Sequence, residues 1–256
     1  MANSTFDLTG KTALVTGGNG GIGLGMAKAL AQSGADICIW GQNEEKNKTA
    51  AEKIAAYGGQ VAAFKCNVSD ENQVEENFAR TVEALGKVDT CFANAGVGSM
   101  GTPFHNMDIS EWRNVFGVNM EGVFFTFRSA IRHMLEREDG GSLVVTSSLS
   151  AKYGMPRGEH YAATKAGVVA IVRGLAVEYA RYRIRANAIL PGWIETDMTA
   201  PLFNIEKFEK NVIPRIPQRR WGIPADFGPI AVYFACDASA YHSGDAVPRD
   251  GGYSCF

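Results

Sequence analysis

The sequence predicts an α/β fold: a single domain in which a doubly wound parallel sheet lies between two layers of helices. Two observations carry this. Short runs rich in β-branched residues alternate with longer helical stretches along the whole chain, the order that produces parallel strands joined by helical crossovers. No repeat, low-complexity tract or interdomain linker interrupts the alternation over 256 residues, of which 46% are hydrophobic, enough for one sizeable core.

The elements follow in order. Residues 12–16 read as the first strand, followed by a glycine-rich turn and a helix over about 21–33 that Gly34 ends. A second strand spans 35–40, and a helical pattern over 43–57 stops at the Gly58-Gly59 pair. The third strand covers 61–68, and Ser69 and Asp70 can cap a helix running to about 85. After a fourth strand at 88–93, Asp108 with Glu111 three residues on forms a capping-box pattern, which opens a long helix to about 137. The fifth strand is 143–146, an Ala-rich helix spans 160–181, and the sixth strand, 185–190, is halted by Pro191-Gly192. The stretch 193–223 is punctuated by prolines, with a short helix expected near 204–211. A helix over roughly 225–236 and a strand near 245–249 finish the chain. Pro248 donates no ladder hydrogen bond, so the last strand is expected at a sheet edge.

Charge and composition exclude several functions. With 25 Lys and Arg against 27 Asp and Glu, and no basic cluster interleaved with aromatics, neither nucleic acid nor an anionic membrane is an expected partner. No apolar run approaches the ~18 residues that span a bilayer, and the first residues lack the plan of a signal peptide. Cys38, Cys66, Cys91, Cys236 and Cys255 are scattered, without a Cys-x-x-Cys, and three of them fall in strand-like runs. A reduced, cytoplasmic protein without a metal site is the expectation.

Between the first strand and the first helix lies Thr16-Gly17-Gly18-Asn19-Gly20-Gly21-Ile22-Gly23. A dinucleotide needs its pyrophosphate close to unpaired amides at a helix N-terminus, and side chains would block the approach. Gly18, Gly20 and Gly23 fit one Rossmann-type spacing, and Gly17, Gly21 and Gly23 fit a looser one. No Gly-Lys-Ser/Thr follows, which excludes a P-loop.

Tyr161 and Lys165 lie four apart on one helix, hence on one face. An ammonium beside a phenol favours phenolate and is expected to lower its pKa from near 10, toward the range useful for proton exchange with an alcohol. A Tyr-x-x-x-Lys pair is by itself a common solvated arrangement. What distinguishes this one is Ser148, thirteen positions earlier at the end of the fifth strand, where parallel α/β sheets bind ligands.

Together these motifs resemble the short-chain dehydrogenase/reductase family. The turn from Thr16 resembles its T-G-x-x-x-G-x-G, Asn94-Ala95-Gly96 its N-A-G, and Pro191-Gly192 its P-G motif. Asn119, Ser148, Tyr161 and Lys165 match its catalytic set, and the resemblance extends over residues 8–256. It implies that Tyr161 is the general acid/base and that Ser148 hydrogen-bonds the substrate oxygen. Lys165 would hold the nicotinamide ribose and depress the Tyr161 pKa, and Asn119 would bind a water linking Lys165 to solvent. It places the cofactor against Gly17, Asn19, Gly21, Ile22, Gly23, Asn94, Ala95, Gly96, Tyr161, Lys165, Pro191, Gly192, Ile194 and Thr196. Gln42, Asn67 and Val68 would stand at the adenosine end.

At the end of the second strand, an acid usually selects NAD and a base NADP. Here Gly41 and Gln42 stand there, and Gly20 occupies the second basic position of NADP enzymes, so NAD(H) is favoured with NADP(H) as the alternative. Asn67 replaces the usual Asp and is expected to keep an acceptor oxygen for adenine.

Residues 193–223 match the family's substrate loop, and Ile194, Met198, Leu202, Phe203 and Phe208 would make it an apolar lid. Ser99, Met100, His105, Tyr153 and Met155 are candidates for the pocket wall, whereas His160 is read as structural or rim. The expected activity is hydride transfer between the cofactor and a small-molecule secondary alcohol or ketone. One alternative is a 3-oxoacyl-thioester reductase, which would need a basic surface for an acidic carrier, with Arg128, Arg132, Arg215, Arg219 and Arg220 as candidates. The other is a catalytically silent dinucleotide sensor, which would not need the full catalytic set. The resemblance also implies a homotetramer built on the helices 108–137 and 160–181, where Ala162, Ala163, Ala166, Gly167 and Ala170 permit close approach.

Overall fold

The computed structural model describes residues 5–99, 101–203 and 205–256. Among them, seven strands pair in parallel: Thr12–Thr16 (β1), Asp36–Gly41 (β2), Val61–Lys65 (β3), Thr90–Ala93 (β4), Gly141–Thr146 (β5), Ile184–Pro191 (β6) and Ala246–Arg249 (β7). Their order across the sheet is β3-β2-β1-β4-β5-β6-β7. Pro248 therefore sits on an edge strand, where its missing N–H costs no ladder bond.

The period of two along each strand divides its side chains between two cores. Leu14, Cys38, Trp40, Cys91, Leu143 and Val145 point to one face, covered by Glu71–Leu85 (α3), Gly122–Arg137 (α5) and Glu159–Glu178 (α6). Ala13, Val15, Ile37, Ile39, Phe92 and Val144 point to the other, covered by Gly21–Gln32 (α1), Glu44–Ala55 (α2) and Gly228–Ala235 (α9). Burial on both faces is why the strands read as nearly continuous apolar runs. Completing the helices are Ile109–Phe116 (α4) and the two short lid helices, Ala200–Phe203 (α7) and Glu206–Val212 (α8).

The expected Asp70 cap forms, accepting from the Gln73 amide at 3.2 Å, and Asn43, read as helical, instead caps α2 by accepting from the Lys46 amide at 2.9 Å. The Asp108 capping box does not. Asp108 precedes α4 without a side-chain cap bond, and the Glu111 carboxylate lies 3.4 Å from His160 Nε2 on α6. The long helix expected over 108–137 is divided by a π turn, Gly117–Glu121, in which the Gly122 amide reaches back to the Gly117 carbonyl. The third strand ends at Lys65, so Cys66 follows it rather than lying within it, and the helix expected over 225–236 begins as a 3₁₀ turn, Pro224–Phe227.

Candidate active site

From β1 the chain builds toward β3, then returns to β4 on the other side of β1 and builds away. The loops beyond β1 and β4 therefore diverge and open a cleft of about 320 Å³ between them. Thr16 and Asn94 pin its floor. Thr16 Oγ1 accepts from the Asn94 and Ala95 amides, both at 3.0 Å. Asn94 Nδ2 donates to the Thr16 carbonyl at 3.1 Å, and its Oδ1 accepts from Thr146 Oγ1 at 3.0 Å. One side chain thus ties together the ends of β1, β4 and β5.

The glycine turn resolves in favour of the Gly17/Gly21/Gly23 spacing. Gly17 and Gly21 adopt φ of +64° and +48°, which side chains disfavour. A Cβ on Gly23 would stand 2.3 Å from the Gly17 carbonyl, whereas a Cβ on Gly20 would meet nothing within 4 Å. The α1 N-cap, Gly20, has no capping side chain, so the first amides of α1 face the cleft without a side-chain partner. A positive helix end and bare backbone fit a dinucleotide pyrophosphate.

Gly17, Asn19, Gly21, Ile22, Asn94, Ala95, Gly96, Tyr161, Lys165, Pro191, Gly192, Ile194 and Thr196 all line this cleft. Gly23 lies beneath the turn, and Val68 is buried against Gly122 instead of lining it. Gln42 and Asn67 meet each other outside the cleft, at 3.4 Å. Asn67 Oδ1, expected to serve adenine, also accepts from the Ser69 hydroxyl at 2.9 Å and the Ser69 amide at 3.3 Å, so its acceptor capacity is spent locally. A side chain at Gly41 would collide with Asn19 and Asn47, which are joined by a 2.7 Å hydrogen bond. An acid at position 41 would therefore have to displace that pair.

At the inner end of the cleft, Lys165 Nζ donates to the Thr146 carbonyl at 2.8 Å and lies 5.6 Å from the Tyr161 ring centroid. Burial pulls the Lys165 pKa down to about 8. Burial also raises the Tyr161 pKa, against which a hydrogen bond to Ser148 acts in the lowering direction. The expected depression of the phenol by Lys165 is therefore not a property of the protein alone, because desolvation of the phenol outweighs what its neighbours supply. Ser148 also accepts from the Ser150 amide at 3.1 Å, and Ser147 Oγ donates to the Lys165 carbonyl at 2.7 Å, which fixes α6 against the end of β5. Asn119 sits in the π turn with its side chain clamped to Val97, accepting from the amide at 2.8 Å and donating to the carbonyl at 2.9 Å. Gly96 lies between the two: a Cβ there would be 3.2 Å from Asn119 Oδ1 and 3.4 Å from Lys165 Nζ.

A second cavity, of about 290 Å³, shares Ser148, Tyr161, Pro191, Gly192, Met198 and Thr199 with the cleft. Of the expected wall residues, Ser99, Tyr153 and Met155 line it and His105 does not; Met100 lies outside the described residues. His160 is fully buried between Glu111 and Trp112, a structural position. The lid residues divide. Met198 and Leu202 face the cavity, Ile194 joins the core beneath α1 and α9, and Phe203 and Phe208 pack with Trp193 and Trp221 into an aromatic cluster of the lid itself.

Sequence reasoning passed over Lys46 and Asp197, which face each other at 2.9 Å on the rim of the cleft. The available signals were a lysine in the first turn of the helix after β2, and the Thr196-Asp197-x-Thr199 pattern, a turn in which Thr199 Oγ1 accepts from the Thr196 amide at 3.0 Å. The five arginines considered for an acidic carrier all have partners. Arg128 pairs with Glu71 and Glu75, Arg132 with Glu75 and Arg220 with Asp226. Arg219 donates to the Pro214 carbonyl, and Arg215 lies over the Tyr253 ring.

Residues 17–254 match a family model described as enoyl-(acyl carrier protein) reductase. The chain is 36% identical over 245 residues to a 3-oxoacyl-[acyl-carrier-protein] reductase of Chlamydia pneumoniae, covering 96% of this chain and 97% of that protein. It is 36% identical over 254 residues to a sorbose reductase of Schizosaccharomyces pombe, covering 98% of each. Among solved structures, a gluconate 5-dehydrogenase from Burkholderia cenocepacia in complex with NADP and tartrate superposes with a TM-score of 0.94 at 31% identity over the full length of both chains.

Proposed function

Because the chain belongs to the short-chain dehydrogenase/reductase family, we propose that Ser148, Tyr161 and Lys165 are its catalytic residues, with Asn119 positioning them. It is an NAD(P)-dependent oxidoreductase that interconverts secondary alcohols and ketones. The observation that carries the assignment is the placing of Tyr161 and Ser148 where the nucleotide cleft and the second cavity meet.

A nicotinamide dinucleotide bound in the cleft supplies or takes the hydride. In reduction, Tyr161 Oη gives its proton to the substrate oxygen, and the Ser148 hydroxyl donates to the same oxygen as charge develops there. Lys165, held by Thr146, offers its ammonium to the ribose hydroxyls and favours the phenolate that remains. Asn119 fixes Val97 and, through it, the wall beside Lys165 along which a water connects that ammonium to solvent. Residues 193–223 serve as the substrate loop of a domain spanning 1–256. NAD(H) is favoured over NADP(H), since Gly41 and Gln42 are neutral and Lys46, the cation on this rim, is matched by Asp197.

The test is reduction of a panel of cyclic ketones, ketoses and 3-oxoacyl thioesters, followed by nicotinamide absorbance with each cofactor. Turnover of any of them that survives removal of the Tyr161 hydroxyl overturns the assignment. Preferential turnover of the thioesters selects the acyl-carrier reading, and binding of nucleotide without any turnover selects the silent sensor. A homotetramer in the cytoplasm completes the reading. Ala163, Ala166, Ala170 and Val177 form an exposed stripe on α6, and Phe124 is exposed on α5. A monomeric mass in solution would overturn it.

A further inference from the structure

The second cavity carries no charge. Beyond the residues it shares with the nucleotide cleft, its main walls are Leu149, Tyr153, Met155, Trp193, Leu202 and Tyr253. Among the described residues, no Asp, Glu, Lys, Arg or His lines it, and the two internal positions outside the description, 100 and 204, are Met and Asn. Arg215 lies 4.7 Å from the Tyr253 ring centroid but does not itself line the cavity. A carboxylate brought here would lose its water without gaining a cation, which costs far more than burying a neutral group. Three of the wall hydroxyls are committed, whereas Ser150 Oγ is buried without a partner. Ser99 donates to the Arg157 carbonyl at 2.5 Å, Tyr153 to the Ser254 carbonyl at 3.0 Å and Thr199 to the Ile194 carbonyl at 2.5 Å. Beyond Ser148 and Tyr161, which take the reacting oxygen, only Ser150 and Tyr253 carry uncommitted hydroxyls on this wall, too few for the several oxygens of a polyol, whose hydroxyls would be left unpaired. At 290 Å³ the cavity holds roughly ten water volumes, the space of a small ring.

We propose that the substrate is a compact, uncharged ketone or secondary alcohol with an apolar, hydroxyl-poor body, such as a substituted six-membered ring, and not a sugar acid. This deepens the oxidoreductase reading and rests on it. Met155 and Met198 give the wall soft, unbranched surfaces that adapt to such a body.

Three compounds of similar size decide it, each offered to the full chain with NADH and NADPH: cyclohexanone, 4-oxocyclohexanecarboxylate and a ketohexose. The neutral ring ketone is expected to exceed the carboxylate at least 100-fold in kcat/KM and the ketohexose at least 10-fold. A carboxylate or ketohexose used as well as the ring ketone overturns the substrate class and leaves the catalytic reading standing. No turnover of any of the three, with nucleotide binding demonstrated by fluorescence, overturns both. Leu202→Arg and Met155→Arg place a cation on partly exposed walls and are expected to shift the carboxylate-to-neutral ratio at least 10-fold toward the carboxylate. An unchanged ratio in both variants, with the thermal transition retained, places the substrate outside this cavity.

Discussion

The two sides of the active site are built on different principles. On the nucleotide side, position is set by backbone: Thr16, Asn94 and Asn119 spend their side chains on main-chain groups, and Gly23 leaves no room for one more atom. On the substrate side, position is set by loose apolar contact. The lid helices α7 and α8 are short, Met198 and Leu202 are 52% and 40% exposed, and the four-ring aromatic cluster holds the lid to itself. A side chain that completes a hydrogen-bonded lattice has few substitutes, whereas an apolar wall accepts many. The first side therefore fixes the chemistry and the second is free to vary with the substrate.

The contrast can be broken most sharply at the junction. Tyr161→Phe removes one hydroxyl and is expected to lower kcat/KM by about 10³-fold, in the range for loss of a general acid/base. NADH affinity, read by fluorescence titration, should stay within about threefold of wild type.

On the nucleotide side, Gly23→Ala pushes a methyl group against the Gly17 carbonyl and is expected to cost about 1–3 kcal/mol in stability and to weaken dinucleotide binding at least tenfold. Gly20→Ala, in open space at the same turn, should change stability by less than about 1 kcal/mol, a cap-residue effect. Equal losses in denaturant unfolding of the two variants would remove the distinction between a locked turn and a flexible one.

Lys165 gives a pH signature. Its folded pKa of about 8 lies below the ordinary lysine value, so between the two the unfolded chain binds more protons than the folded one. The burial penalty is fully present below about pH 8 and lifts as pH rises toward the unfolded pKa, so this group makes stability rise with pH across that window. Denaturant titrations at pH 7, 8, 9 and 10 should show wild type gaining stability relative to Lys165→Met. A constant difference would mean that the ammonium is not desolvated.

On the substrate side the effects should be smaller. Phe203→Ala takes one ring from the aromatic cluster and is expected to raise the KM for the ketone several-fold while moving the thermal transition little. A large loss of stability with unchanged KM would show that the lid belongs to the core.

How much of this was legible in the sequence follows the same division. The strands, the edge position of Pro248, the glycine turn and the Tyr161–Lys165 pair could be read, because each is a local pattern answering one local requirement. The π turn at Gly117–Glu121 and the failed Asp108 cap could not be read, since both depend on contacts across to Val97 and His160. The state of Tyr161 was missed for a related reason: spacing reports that a lysine is near, but not how much water burial removes from the phenol. The second cavity draws on residues from several separate loops, and no spacing rule joins Met155 to Leu202 or Tyr253.

Lys46 and Asp197 stand 2.9 Å apart, one on α2 and the other in the segment after β6, a span that reaches from the nucleotide-binding half to the lid.

 Asp197 directly follows Thr196, whose side chain covers Gly21, and directly precedes Met198, which walls the second cavity. The ion pair therefore joins α2, across the rim of the cleft, to a segment that lines both cavities. One short segment therefore serves two walls, and a substitution that displaces Asp197 is expected to disturb the nucleotide and the substrate together.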